Sequence, residues 1–325
     1  MKKKVLLLMT SHYSIYKEIL ENLERMGYEV DYRDIKEFKY KSFTQRAYNF
    51  FRKTFLRDKK YKDYLRKKTI EQDLIETFGK DYFDYTLIIR PDIYNPETVH
   101  FLKKISKKVV AYQWDGFSRF YNPPDLIEAF DTFAVFDKKD YYENRDKHKN
   151  LILAHNFYFD IIDCPNKKTI DVIYIGAKER DRVEVLNHLA NIFDNQGIKS
   201  ELYLFTADKV KCHPTIKVSE KILPYRKVLE KSSSSKCVID LKHHLHDGLS
   251  LRFFESLYFN QKIITDNQSV KHMDFYHPNN ILIVSDWYSL SYIELEKFLN
   301  KPFVDISEDI KNKYSFESWF NRLIQ

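Results

Sequence analysis

The stretch from Cys237 to Asn267 limits the possible folds more than any other part of the chain. Cys237-Val-Ile ends at Asp240, and Lys262-Ile-Ile-Thr ends just before Asp266 and Asn267. Short apolar runs bounded by polar residues read as buried strands. Between them Leu249, Phe253, Phe254, Leu257 and Tyr258 fall at helical spacing. The order is therefore strand, loop, helix, strand. Gly248 and Ser250 stand where the helix begins, and there the backbone N–H groups lack intrahelical partners. A helix start following a strand is an anion site, to which Ser250 and Arg252 can add donors. Glu255 follows about one and a half turns later, close enough to accept from sugar hydroxyls beside a phosphate held there.

These residues, Gly248-Leu-Ser-x-Arg-x-x-Glu-x-Leu followed by Lys262-Ile-Ile-Thr-x-Asn, resemble the donor-binding element of GT-B glycosyltransferases. The resemblance is nearest to the CgeB-like or "group 1" sugar transferases of bacterial lipopolysaccharide and capsule gene clusters. It implies an α/β chain with the GT-B fold: two Rossmann-like domains facing across a cleft, and a C-terminal helix crossing back to the N-terminal domain. It also implies that Gly248, Leu249, Ser250 and Arg252 hold the donor phosphates and that Glu255 grips the ribose. A strand-end aspartate followed by a histidine recurs in the same group, matched here by Asp240 and His243. An Ile-Gly pair followed by an arginine is matched by Ile175-Gly176, with Arg180 and Arg182 equally placed. Tyr-x-Trp-Asp is matched by Tyr112–Asp115, and Phe-Asp and a later Asp by Phe136, Asp137 and Asp140.

The chain has 325 residues, enough for two domains of ordinary size. Its net charge of +7 suits an acidic partner. No apolar run approaches the roughly 20 residues of a membrane-spanning helix. The opening Met-Lys-Lys-Lys-Val-Leu-Leu-Leu-Met imitates a leader, but its apolar part is short and no small-residue cleavage site follows. A buried first strand is expected instead. Cys164, Cys212 and Cys237 share no metal-type spacing and suggest a reducing compartment. The expected location is cytoplasmic, with peripheral contact at the inner face of the membrane.

Three domains of sequence are expected: an N-terminal acceptor domain over 1–160, a nucleotide-sugar domain over 161–308, and a returning helix over 309–325. Val5–Met9, Glu29–Tyr32, Tyr85–Arg90 and Val109–Asp115 read as strands of the first. No Gly-x-Gly-x-x-Gly follows the first strand, which argues against an ordinary dinucleotide site there. In parallel sheets ligands gather beyond the carboxyl ends of strands, so Asp92, Trp114, Asp115 and Gly116 are cleft candidates, as are His12 and Tyr13. Residues 41–80 are basic and aromatic, and are expected to form one or two amphipathic helices. Such an insert suits an anionic lipid surface or an anionic acceptor; the alternative is a solvated insert whose aromatics are core. No recognisable nucleic-acid module supports nucleic-acid binding.

The linker is placed around His155–Tyr158 and Pro165–Lys168. Asp171–Gly176 restarts the strand pattern, and a helix over Val183–Phe193 follows a basic loop, again a phosphate-facing arrangement. Pro224 is expected in the first turn of a helix. Phe316–Ile324 reads as an amphipathic helix with Trp319 and Phe320 as anchors. The histidines 243, 244 and 246 lie in a loop without a matching distant ligand pair, so no metal and no cofactor are expected.

The activity implied is transfer of a sugar from a UDP-, GDP-, dTDP- or CMP-linked donor to a lipopolysaccharide, capsule or related acceptor. Asp115 is the candidate base of an inverting reaction. Asp240 is the candidate nucleophile of a retaining one. The alternatives are a nucleotide-sugar epimerase of the same fold and a non-catalytic surface-binding homologue.

Overall fold

Val5 to Met9 are completely buried, as a run that is apolar on both faces requires. They form most of β1 (Lys4–Met9), which takes parallel neighbours on both sides. The computed structural model describes residues 2–35, 38–58, 60–160, 164 and 167–325. Lys59 of the basic insert, the expected 160/161 boundary, and Pro165 and Asn166 of the expected linker lie outside or at the edge of the described residues.

The chain forms two compact units. The first holds Leu23–Ala154, the segment up to Ser11, and Arg322–Gln325; the second holds His12–Asn22 and His155–Asn321. After β1 the order is α1 (Ile15–Arg25), β2 (Glu29–Asp34), α2 (Phe43–Phe55), α3 (Tyr61–Phe78), β3 (Phe83–Ile89), α4 (Pro96–Ile105) and β4 (Ser106–Gln113). Then come α5 (Pro124–Ala129), β5 (Thr132–Val135), α6 (Lys138–Asn144) and β6 (Leu151–Leu153). The sheet order is β2-β1-β3-β4-β5-β6, with every pair parallel. Leu74 and Phe78 of α3 join Leu102, Ile105, Phe130 and Phe133 in the core of this unit. Gly27 ends the α1 region with φ +92°, a conformation that costs glycine no Cβ clash.

The second unit contains β7 (Ile170–Ala177), α7 (Arg182–Asn195), β8 (Ser200–Phe205), β9 (Ile216–Ser219), α8 (Tyr225–Ser233) and β10 (Ser235–Asp240). It continues with α9 (Leu251–Tyr258), β11 (Lys262–Thr265), β12 (Ile281–Ile283), α10 (Tyr292–Asn300), α11 (Glu308–Asn312) and α12 (Phe316–Ile324). Its sheet runs β12-β11-β10-β7-β8-β9, again all parallel. Counted within the unit, that is the 3-2-1-4-5-6 order of a Rossmann sheet. The chain thus moves outward on one side of β7, then returns and moves outward on the other. The direction reverses between β7 and β10.

Pro224 is the N-cap of α8 rather than a residue of its first turn. Trp319 packs on Phe157 with ring centroids 4.3 Å apart, and Phe316 stacks on Phe159 at 5.5 Å, all inside the second unit. The insert differs from a buried-aromatic reading: α2 has no buried residue at all. Among the described residues no helix is long and apolar enough to cross a membrane.

Candidate functional site

Open parallel sheets bind ligands beyond the carboxyl ends of their strands, where the strand order reverses. In the second unit that place is between the ends of β7 and β10. Two arginines span it. Arg252 Nη2 donates to the Ile175 carbonyl of β7 at 2.5 Å, and its Nη1 donates to Asp240 Oδ1 at the end of β10 at 3.2 Å. Arg182 Nη1 donates to the Ala177 carbonyl and its Nη2 to the Leu241 carbonyl, both at 3.1 Å. Residues 59 and 77 positions apart in the chain become one crevice by these bonds.

Asp240 is 2% exposed and its carboxylate has further donors. Ser250 Oγ donates to it at 2.6 Å and Thr265 Oγ1 at 3.4 Å. Ser250 is the N-cap residue of α9, yet its hydroxyl does not close the helix start, because Asp240 takes it. The first N–H groups of α9 are left without a side-chain cap, which is what an anion needs. Asp240 acts here as the holder of Ser250 and Arg252. Leu249 contributes a buried side chain and a carbonyl that accepts from Asn156 Nδ2 at 2.8 Å. The Gly248 carbonyl accepts from Asn267 Nδ2 at 3.4 Å.

Gly176 has a packing reason to be glycine. A Cβ there would lie 2.4 Å from the hydroxyl of the buried Tyr174 and 2.8 Å from its Cζ. Arg180, four residues on, has φ +38°, and its side chain has neither a hydrogen-bond nor an ion-pair partner among the described residues. A non-glycine residue in that region is strained, and such residues concentrate at ligand sites. The two arginines that the sequence could not separate are thereby separated. Arg182 is committed to backbone carbonyls, and Arg180 has no polar partner among the described residues.

A cavity of about 230 Å³ adjoins the crevice, lined by Glu179, Arg180, Arg182, His243, His244, Asp266 and Trp287 among others. It is smaller than the ~300–1,000 Å³ of a whole small-molecule site, so it suits a fragment of a nucleotide. His243 stacks with His244 at 4.8 Å and with His246 at 4.9 Å between centroids. Its Nδ1 accepts from the Leu245 N–H at 3.2 Å. No group of three or more His, Cys, Asp or Glu among the described residues is arranged to hold a metal ion.

Glu255 is 4% exposed. Burial pushes its carboxyl above the ordinary range, against the Tyr225 hydrogen bond and the nearby Arg252, which pull it down. Tyr225, which sequence reasoning missed, is 7% exposed and reaches Glu255 from α8. Arg226 beside it pairs with Glu18 and Glu21, two α1 residues that belong to this same unit.

In the first unit the expected residues gather at the ends of β3 and β4. Arg90 donates from Nε and Nη2 to the two oxygens of Asp92 at 2.7 and 2.8 Å. Its guanidinium lies 3.5 Å from the centre of the Phe120 ring, and that of Arg119 lies 5.1 Å from it. Arg119 Nη1 donates to Asp115 Oδ1 at 2.9 Å. The two carboxylates are thus joined through Arg90, Phe120 and Arg119, none of which stood out in the sequence. Arg90 has φ +68°, another left-handed residue just past a strand end. Trp114 is half-buried and Gly116 buried. The loop that carries them is held by Asp140, whose Oδ2 accepts from the Phe117 N–H at 2.8 Å. Burial raises the Asp140 carboxyl to about 6, the Phe117 bond opposing and Asp137 adding to the rise.

His12 and Tyr13 are exposed and belong to the second unit. Tyr13 and Ser14 both have φ +58°. A larger cavity, about 510 Å³, lies in the first unit by the ends of β1 and β2 and α3. Leu8, Leu74 and Tyr94 form buried parts of its wall, and Arg33, Lys39, Lys41 and Arg66 bring positive charge to it. The hydroxyl of Tyr94 and the Nε of Arg66 are buried with no hydrogen-bond partner among the described residues. Lys41, Arg66, Thr69, Ile70, Asp73 and Leu74 of the basic aromatic insert line this cavity, whereas His12, Tyr13, Asp92, Trp114, Asp115 and Gly116 do not.

No family model and no curated protein matches the chain. Solved structures do match over nearly all of its length. An α,α-trehalose-phosphate synthase (UDP-forming) from Burkholderia vietnamiensis is similar with TM-score 0.57 and 9% identity, covering 99% of this chain and 97% of its own. A UDP-GlcNAc 2-epimerase from Methanocaldococcus jannaschii, solved with UDP-GlcNAc and UDP, gives 0.53 and 11%, covering 96% and 98%. A lipopolysaccharide outer core galactosyltransferase gives 0.50 and 11%, covering 98% and 97%. At such identities the likeness is one of fold, and with the two six-stranded parallel sheets and their flanking helices it establishes that this chain has the GT-B fold.

Proposed function

We propose that the protein is a glycosyltransferase that takes a sugar from a nucleotide-sugar donor to a lipopolysaccharide, capsule or related surface-glycan acceptor. The observation that carries this reading is the crevice between β7 and β10. Arg182 and Arg252 stitch it, Ser250 leaves the α9 start without a side-chain cap, and Arg180 stands beside it with no hydrogen-bond or ion-pair partner among the described residues. Preorganised N–H donors and a free cation are what a departing diphosphate requires, and they need no metal. The donor phosphates bind Arg180 and the N–H groups around Gly248, Leu249 and Ser250; His243 and Gly176 border them. Glu255, with Tyr225 on it, holds ribose hydroxyls. Asp115 is the base that takes the acceptor proton if the transfer inverts, and Asp240 the nucleophile if it retains. The acceptor is a saccharide or lipid-linked saccharide; Asp92, Trp114 and Gly116 of the first unit are its proposed contacts, and the Arg33, Lys39, Lys41 and Arg66 cavity of that unit suits an anionic part of it. The protein works in the cytoplasm.

A thermal-shift series with UDP, GDP, dTDP, CMP and their sugars tests this, because a ligand that binds only the folded state raises the midpoint by mass action. One nucleotide is expected to stabilise the wild type and not Arg180→Ala. No shift with any of them ends the proposal. Incubating the stabilising nucleotide-sugar alone separates transfer from epimerisation, since only an epimerase turns it into an isomeric nucleotide-sugar.

A further inference from the structure

The segment Lys41–Lys68 carries eleven basic and two acidic side chains, a net +9, whereas the whole chain carries +7. The rest of the protein is therefore slightly acidic, and the excess positive charge is concentrated in α2, the turn after it and the first half of α3, within the α2–α3 hairpin. On that hairpin α2 buries nothing. Phe43 is 82% exposed, Phe50 65%, Phe51 47%, Phe55 69% and the following Leu56 59%. At about 100° per residue, Phe43, Ala47, Phe50, Phe51, Thr54 and Phe55 fall within an arc of roughly 140°. Arg46 and Lys53 border that arc on one side.

The other side of α2 is fixed to α3. Tyr48 packs edge-on against Tyr61 at 5.0 Å, and the Arg52 guanidinium lies 5.1 Å from the Tyr61 ring. Arg52 also donates to Asp58 in the turn between the helices, and Ser42 caps the start by accepting from the Gln45 N–H at 3.2 Å. The phenylalanine face is thus held outward by a cation, an aromatic pair and a cap. An exposed aromatic face of this kind with a basic border fits one partner, a surface that is apolar below and anionic above. A second copy of this face would meet the same +9.

We infer that α2 is a docking helix for an anionic phospholipid surface, with Phe43, Phe50, Phe51 and Phe55 entering below the headgroups and Arg46, Lys53 and Arg57 meeting their phosphates. This goes beyond the transferase reading and does not require it. Placed so, the protein meets a membrane-borne acceptor in two dimensions rather than three.

The test is co-sedimentation with vesicles of phosphatidylcholine, with and without one part in three of phosphatidylglycerol. Binding to the anionic vesicles is expected to exceed binding to the neutral ones at least tenfold and to weaken in high salt. A Phe43→Ser, Phe50→Ser, Phe55→Ser variant is expected to lose at least tenfold on anionic vesicles, and so is Arg46→Glu, Lys53→Glu. These side chains are exposed, so both variants are expected to keep the wild-type melting midpoint and its shift with nucleotide, which separates this inference from the donor site. Phe50→Trp is expected to show blue-shifted emission on anionic vesicles. Absence of binding to anionic vesicles, undiminished binding of the triple serine variant, or tighter capture of single-stranded RNA than of vesicles by the same residues overturns the inference.

Discussion

The hydroxyl of Tyr225 donates to Glu255 Oε1 at 2.5 Å, from one buried side chain to another thirty residues away. Neither has water to replace its partner. Tyr225→Phe leaves a buried carboxylate short of a donor and is expected to cost about 1–3 kcal/mol. Urea unfolding checks it; an unchanged midpoint means the pair is incidental.

Glu255→Gln separates the structural share of this pair from binding. The Glu255 carboxyl is raised by burial, so its contribution to stability is complete below the ordinary carboxylate pKa and is lost as pH rises through the raised value. The glutamine variant lacks that loss and is expected to match or exceed wild-type stability at pH 7.5. Its nucleotide-induced shift is expected to vanish. Retention of the full shift removes Glu255 from the donor site.

Arg180 and Arg182 are expected to part company. Arg180→Ala should leave the midpoint within a degree or two, because the side chain is exposed and makes no hydrogen bond or ion pair among the described residues, while weakening nucleotide binding at least tenfold. Arg182→Ala removes two part-buried bonds to backbone carbonyls and should lower stability by about 1–3 kcal/mol before any ligand is added. Isothermal titration and thermal melts of both variants decide between them.

Asp140 gives a pH signature. Its carboxyl moves from 3.8 to about 6 in the fold. At 1.36 kcal/mol per unit, the ionised form costs about 3 kcal/mol. The sign follows from the raised value: the stabilisation is complete below about 4 and is lost as pH rises through about 6. Asp140→Asn keeps an acceptor for the Phe117 N–H and cannot ionise. It is expected to be more stable than wild type at pH 7.5 and to lose most of that advantage by pH 4.5. A difference that stays constant across this range refutes the assignment.

Gly176→Ala places a methyl against the buried Tyr174 hydroxyl. Overpacking of this kind costs about 1–3 kcal/mol. Tyr174→Phe in the same chain should recover part of the loss, and absence of any recovery points elsewhere.

Local periodicity determined most of the elements. Phe316–Ile324 is one helix with the bounds its apolar spacing predicts, and β1 and β7 lie on the apolar runs that suggested them. The strand–loop–helix–strand unit around α9 was legible for the same reason, since each element repeats its own period within ten residues. The GT-B fold followed from that unit by resemblance. The partners inside it were not legible. Ser250 looks like a helix cap, and bonds to Asp240 instead because β10 ends beside it. Arg90, Phe120 and Arg119 join Asp92 to Asp115 only because β3 and β4 are neighbours. The exposure of α2 was equally undecided, since amphipathic spacing says which residues share a face and not whether that face is covered. Sequence alone therefore determined elements, order and charge, which depend on residues a few positions apart. Only the tertiary structure decided that β7 lies beside β10, that Arg182 is tied while Arg180 has no polar partner among the described residues, and that the phenylalanines of α2 point outward. Those outcomes depend on strand order and packing between distant segments, which no local period encodes.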